Sequence, residues 1–348
     1  MRAVLCGYYG KGNAGDEALL ATLLQMLPEL VQPVVLSGNP RDTRSYFGVE
    51  VYDRFSAWGV WSALRSADVF VLGGGSLLQD STSLFSLVYY VGLTALAQAM
   101  GLKTIAWGQG IGPLNRPLSQ WLAAQVLQHC TAISVRDGAS ARWLSQRQIN
   151  CMVAPDPVWG LAPLEVEDPI NLPHPRIALC LRPHPLLTAD RLGVLVQALG
   201  QVQQSLNAGI VALPFHHHDD RDLAISVLDA LPGATQLLDI HHPQQLQGVF
   251  QFIDLTLSMR LHGLIMAAAA GSRCYGLSYD PKVSRLMEEL CLPGWALADL
   301  PLNAAQIAQQ LTYELDYGSP LSADQILSLK DRSLMHQDLF NTVLLGNP

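Results

Sequence analysis

The chain has 348 residues, 49% of them hydrophobic and 14% charged, a composition that fills one large core or two of ordinary size and excludes disorder over most of the length. Lys and Arg number 21 against 29 Asp and Glu, for a formal charge of −8. With no basic run, duplex nucleic acid is excluded as a partner, because phosphate contacts need clustered cations.

Chain order opens with MRAVLCGYYG, where glycines interrupt the apolar run too early for a signal peptide. The six cysteines are scattered without a CxxC pair and read as small packed hydrophobes in a reducing compartment. The expected location is therefore cytoplasmic.

Short β-rich runs, RAVLCGY, QPVVLSG, VFVLGGG, KTIAWG, TAISVRD and CMVAPD, alternate with helical segments such as DEALLATLLQML and LSQWLAAQVLQHC. Such alternation predicts a parallel α/β sheet. The charge-free stretch from Ser81 to Leu102 is long enough to span a bilayer. Its polar interruptions at Ser83, Ser86, Thr94 and Gln98, and its place between two strands, predict a crossover helix instead, with at most a surface contact to a membrane.

After Pro155 the aperiodic, proline-rich PDPVWGLAPLEVEDPINLPHPR reads as a domain linker, with the boundary near Trp159 to Pro175. A second series follows: RIALCLR, AGIVALPF, TQLLDI, FIDLTLS and SRCYGLS, with helices starting near Ala189, Asp219, Pro243, Leu261 and Pro281. The expected organisation is a first Rossmann-like domain over residues 1–160, a second over 175–320, and a helical end over 321–348 that folds back on the first. Two doubly wound domains facing a cleft is the GT-B arrangement, with functional loops at the carboxyl ends of the strands. Fold alone does not assign function.

The first loop, GYYGKGNAGDEALL, is neither a dinucleotide nor a Walker fingerprint. Asn13, Asp16 and Glu17 suit ordinary helix capping, yet the loop's glycines let backbone approach a ligand. A carboxylate at that helix end would repel phosphate, so Asp16 fits hydroxyl activation better. LGGGSLLQD places Gly75 and Ser76 in a second glycine-rich turn, where Ser76 could donate to an oxygen and close packing is the plainer explanation. WGQGIGP has no ionisable side chain and contributes shape.

Arg136 ends the strand TAISVRD, either as an anion ligand or in a surface ion pair with Asp137. Arg260 and His262 stand where FIDLTLS hands over to an Ala-rich helix, an arrangement suited to an anion. Lys282 follows the next strand and adds a cation. The run His216, His217 and His218 is weak as a metal site, because adjacent side chains diverge; whether one of them contributes stays open. No GxSxG elbow or recognisable nucleophile–base pair is present, which disfavours hydrolase chemistry.

Taken in order, GYYGKGNAGDEALL, LGGGSLLQD, GQGIGP, SVRD, PDPVW, SMRLHGLIMAAAAG and SYDPK resemble the polysaccharide pyruvyl transferase family, with the closest likeness to its CsaB branch. The resemblance implies transfer of the pyruvyl unit of phosphoenolpyruvate onto two sugar hydroxyls, giving a cyclic ketal and phosphate. By position it implies Asp16 in the base region, His262 as catalytic, and Arg136, Arg260 and Lys282 as phosphoenolpyruvate ligands; some members carry arginine where this chain has Lys282. It further implies a lipid-linked glycan acceptor reached peripherally at the inner membrane face, with neither a metal nor another cofactor. The alternative is a GT-B glycosyltransferase using a nucleotide sugar. A non-catalytic glycan- or nucleotide-binding protein is a third reading, opposed by the expected placement of Asp16 and His262 on opposite domains.

Overall fold

The computed structural model describes residues 1–81 and 84–346, so Ser83, one of the polar interruptions noted above, lies outside the described residues. The chain divides into two compact units: Met1–Lys11, Asp16–Leu161 and Leu329–Pro348 form the first, and Gly12–Gly15 with Ala162–Ser328 form the second.

The first unit holds a seven-stranded sheet: β1 (Arg2–Cys6), β2 (Gln32–Ser37), β3 (Glu50–Asp53), β4 (Val69–Leu72), β5 (Lys103–Gln109), β6 (Ala132–Val135) and β7 (Met152–Val153). Every pairing is parallel, in the order β3-β2-β1-β4-β5-β6-β7. Central strands such as VFVL of β4 are buried along their whole length, because helices cover both faces of a parallel sheet. Each fully buried Leu, Val or Phe there contributes about 1.5–3 kcal/mol. The edge strand β3, with the polar sequence EVYD, escapes the hydrophobic pattern, and the sequence series above omits it.

Helix Leu84–Ala99 replaces the bilayer-length stretch; it buries Leu87, Tyr90, Val91, Thr94 and Ala97 while exposing Leu84, Phe85 and Val88. No described helix is long and apolar enough to cross a membrane.

The helical end of the chain is anchored in the first unit by His336, which is fully buried. Its Nε2 lies 2.9 Å from the Pro155 carbonyl, which can only accept, so Nε2 carries the proton and Nδ1 accepts from the Ser134 hydroxyl at 2.9 Å. Trp107 adds a hydrogen bond from Nε1 to the His336 carbonyl at 3.3 Å and stacks on Phe340.

The second unit holds six parallel strands: β8 (Arg176–Cys180), β9 (Gly209–Ala212), β10 (Thr235–Leu237), β11 (Leu255–Ser258), β12 (Arg273–Ser278) and β13 (Gly294–Ala296). Their order is β10-β9-β8-β11-β12-β13. The short edge strand β13 is also absent from the sequence series. The proline-rich segment is no loose tether: Arg176 binds Asp168 at 2.6 Å, Leu164 N donates to Gln244 O, and Asn171 N donates to Gln236 Oε1.

In both sheets the strand order reverses beside the first strand, between β1 and β4 and between β8 and β11. Ligands of open α/β sheets gather outside the carboxyl ends of the strands at such reversals.

Candidate functional site

In the first unit, the segments after β1, β4 and β6 carry the candidate residues. Asp16 stands in the first turn of helix Ala14–Met26. Gly75 has a φ of 111°, a conformation L side chains rarely adopt, and a Cβ there would come within 3.4 Å of Asp16 Oδ1, so a bare backbone faces that carboxylate. Next to it, Ser76 Oγ accepts from Arg136 Nη2 at 3.0 Å.

Arg136 Nη1 also binds Asp156 Oδ2 at 2.6 Å, with both side chains 6% exposed. That geometry replaces the surface pair with Asp137, whose carboxylate instead caps helix Gly138–Ser145 through Ser140 N. A charge-assisted bond to Asp156 and another to Ser76 hold Arg136 in one place. The structure thus brings Asp16, Gly75, Ser76 and Arg136 together through two adjacent residues of one turn.

Three further residues of this unit take their place from the structure, and of these only Glu17 stands among the candidates read from the sequence. Glu17 is buried and accepts from Gly10 N at 2.7 Å, closing the glycine loop; burial is the main cause that pushes its carboxyl up to about 7. Tyr9 is fully buried against the backbone of Gly7 and Gly73, and burial raises its phenol well above the usual range. Arg54 is 6% exposed, donates to Gly7 O at 2.8 Å and to Tyr90 Oη at 3.1 Å, and lies over the Tyr89 ring.

In the second unit, Arg260 occupies the N-cap of helix Leu261–Ala269, directly after β11. Its Nη2 meets Asp220 Oδ1 at 2.5 Å and its Nε meets Oδ2 at 3.0 Å. Asp220 is fully buried and also accepts from His216 N at 2.9 Å. The last residue of the HHHDD run, Asp220, thus fixes both Arg260 and the histidine loop through its carboxylate.

Within the second unit that loop also meets residues Gly12–Gly15: Asn13 forms a β-bridge with His216, His217 N donates to Gly12 O at 3.1 Å, and Ala14 N donates to Phe215 O at 2.7 Å. A Cβ on Gly15 would overlap the His262 ring at Nδ1. Glycine is required at position 15 for the imidazole to lie where it does.

Lys282 follows β12 in the first turn of helix Pro281–Leu290, its Nζ 3.5 Å from Asp280 Oδ2 and its side chain 38% exposed. Arg182 follows β8; its Nη1 donates to Tyr279 Oη at 2.8 Å, and it makes no ion pair among the described residues. His184 packs on the same Tyr279 ring, and burial is the main cause of its lowered pKa. Strands β8, β11 and β12 are neighbours, with the spacing of about 5 Å usual for paired strands, and Arg182, Arg260 and Lys282 follow their three consecutive carboxyl ends. Three cations in a row suit a compact polyanion.

Arg182 was within reach of sequence reasoning. It follows an apolar strand just as Arg136 and Arg260 do, in the run RIALCLR.

Residues 13–281 match the family model for polysaccharide pyruvyl transferases. Comparison with curated proteins gives no significant match. Among solved structures, the chain is similar to a UDP-GlcNAc 2-epimerase from Neisseria meningitidis, bound to UDP-GlcNAc, with a TM-score of 0.65, 9% identity and all of both chains covered. A glycosyltransferase from Rickettsia africae gives a TM-score of 0.55 at 12% identity, covering 99% of this chain and 96% of the other. MurG of Acinetobacter baumannii gives 0.51 at 11%, covering 98% of each. At these identities the likeness establishes the fold, which is the two-domain Rossmann-like GT-B class.

Proposed function

Because this chain belongs to the polysaccharide pyruvyl transferase family, we propose that it transfers the pyruvyl unit of phosphoenolpyruvate to two hydroxyls of a glycan sugar, closing a cyclic ketal. The observation that carries this reading is the row of Arg182, Arg260 and Lys282 at consecutive strand ends. The donor carries a carboxylate and a phosphate close together, and neutralising both also eases the departure of phosphate.

Atoms balance without a further reagent. One hydroxyl oxygen adds to the enol carbon as its methylene becomes methyl by taking a proton. The second hydroxyl then replaces phosphate at the same carbon, and its proton leaves with phosphate. The chemistry needs a base for the hydroxyls and an acid for the methylene. We assign Asp16 as the base and His262 as the acid. Arg182 and Lys282 bind the donor's anionic groups, Arg260 completes the row while held by Asp220, and Arg136 with Ser76 and Gly75 shapes the surface beside Asp16.

A lipid-linked acceptor agrees with the side chains that the first unit leaves in water. Phe55, Trp58, Trp61, Phe85 and Trp121 are exposed. Exposed aromatic side chains of this kind suit a membrane interface. This supports a CsaB-like role at the inner face of the membrane.

The test is incubation with phosphoenolpyruvate and a panel of glycosyl lipids, following phosphate release and product mass. A product heavier by one pyruvyl ketal supports the reading. Consumption of a nucleotide sugar in place of phosphoenolpyruvate would assign a glycosyltransferase, and binding without turnover a non-catalytic protein.

A further inference from the structure

His217 lies in the loop after β9, and Asp239 and His241 lie just after β10, the adjacent strand. His217 Nδ1 is 2.5 Å from Asp239 Oδ1, and His241 Nε2 is 3.9 Å from the same oxygen. The two imidazoles stack with centroids 3.8 Å apart. Each residue offers one ligand atom, and all three atoms lie within 4.8 Å of one another.

We propose that His217, Asp239 and His241 form a binding site for one divalent transition-metal ion of the zinc type, tying the loop after β9 to the loop after β10. Two imidazoles and one carboxylate are a three-ligand set that zinc accepts, with a fourth position left for water. In a tetrahedral zinc site with bonds of about 2.0–2.1 Å, ligand atoms stand roughly 3.3 Å apart. The observed spread therefore closes with movements of about an ångström, and His241, whose side chain is 51% exposed, has room to turn.

The carboxylate divides its duties. Oδ1 faces both histidines, while Oδ2 lies 3.5 Å from Arg221 Nε, which orients it from behind. The divergence of adjacent side chains along HHH does not count against the site, because only His217 of the three is used and the other ligands come from the neighbouring strand's loop. His217 also donates its backbone N–H to Gly12 O, so an ion here would stiffen that contact within the second unit. The role is one of positioning, and the inference stands apart from the transfer reaction.

The experiment titrates the chelator-stripped full chain with zinc by calorimetry and with cobalt by visible absorption. One equivalent of each should bind, and cobalt should give the ligand-field bands of a four-coordinate nitrogen–oxygen site. His241→Ala should weaken zinc binding at least tenfold and abolish the rise in melting temperature that zinc gives the wild type. His129→Ala, an exposed histidine of the first unit, should change neither. Because His241 is half-exposed, its replacement leaves the fold intact, which the metal-free melting curve checks. Absence of saturable binding, or equal affinity in His241→Ala and wild type, would overturn the proposal.

Discussion

Arg260 and Asp220 share a two-pronged ion pair, Nη2 to Oδ1 at 2.5 Å and Nε to Oδ2 at 3.0 Å, with the carboxylate wholly buried. This one pair joins the row of cations to the histidine loop that holds Gly12 and Asn13. Removing either partner leaves a buried charge uncompensated, which typically costs about 3–5 kcal/mol. Arg260→Ala should therefore destabilise the protein as well as weaken donor binding. Denaturant unfolding of Arg260→Ala, Asp220→Asn and the double variant measures the coupling. The double variant should recover part of the loss; strict additivity would show that the pair does not act as a unit.

Arg182 lacks an ion-pair partner among the described residues and holds only the Tyr279 hydroxyl, so its positive charge is the least neutralised of the three. Arg182→Ala should raise the phosphoenolpyruvate KM by roughly tenfold to a hundredfold, the worth of a charge-assisted bond, with little change in stability. Tyr279→Phe removes only the orienting hydroxyl and should cost less. A normal KM in folded Arg182→Ala would take Arg182 out of the donor site.

Asp16→Asn and His262→Gln separate binding from chemistry. Each keeps the side chain's size while removing its capacity to exchange a proton with substrate. Both should retain donor affinity by calorimetry within a few-fold and lose roughly a hundredfold or more of kcat, the range expected for general acid–base groups. Wild-type turnover in either variant would transfer the role elsewhere, with His216 and His218 next to be examined for the acid.

Glu17 gives a pH signature. Its carboxyl is raised, chiefly by burial, from an ordinary 4.5 to about 7 in the folded protein. Between those values the folded state binds the extra proton, so its contribution is full below about 4.5 and is lost as pH rises through 7. Glu17→Gln stays neutral and escapes that loss. Its stability relative to wild type should thus increase between pH 5 and pH 8, on the order of 1–3 kcal/mol. Unfolding curves at the two pH values decide; a constant difference would mean that Glu17 is ionised in the fold throughout.

The parallel α/β architecture was legible because central strand segments such as AVLC of β1 and VFVL of β4 are buried on both faces and read as unbroken apolar runs. The edge strands Glu50–Asp53 and Gly294–Ala296 carry no such run. Among functional candidates, residues at strand ends were visible by position, as with Arg136, Arg260 and Lys282. Their partners were not, because Asp156 lies 20 residues from Arg136 and Asp220 lies 40 from Arg260. Local patterning carries no information about pairs made across a sheet. The same limit hid the metal-type cluster, whose ligands His217 and Asp239 are 22 residues apart.

The central claim is that phosphoenolpyruvate supplies a pyruvyl unit to a glycan, and one reaction in deuterated water tests it most directly. With a lipid-linked glycan as acceptor, mass analysis should show one added pyruvyl ketal whose methyl group carries one solvent deuterium, with one phosphate released per ketal. A glycan that gains a hexose from a nucleotide sugar, or a ketal product without solvent deuterium in its methyl group, would contradict the account.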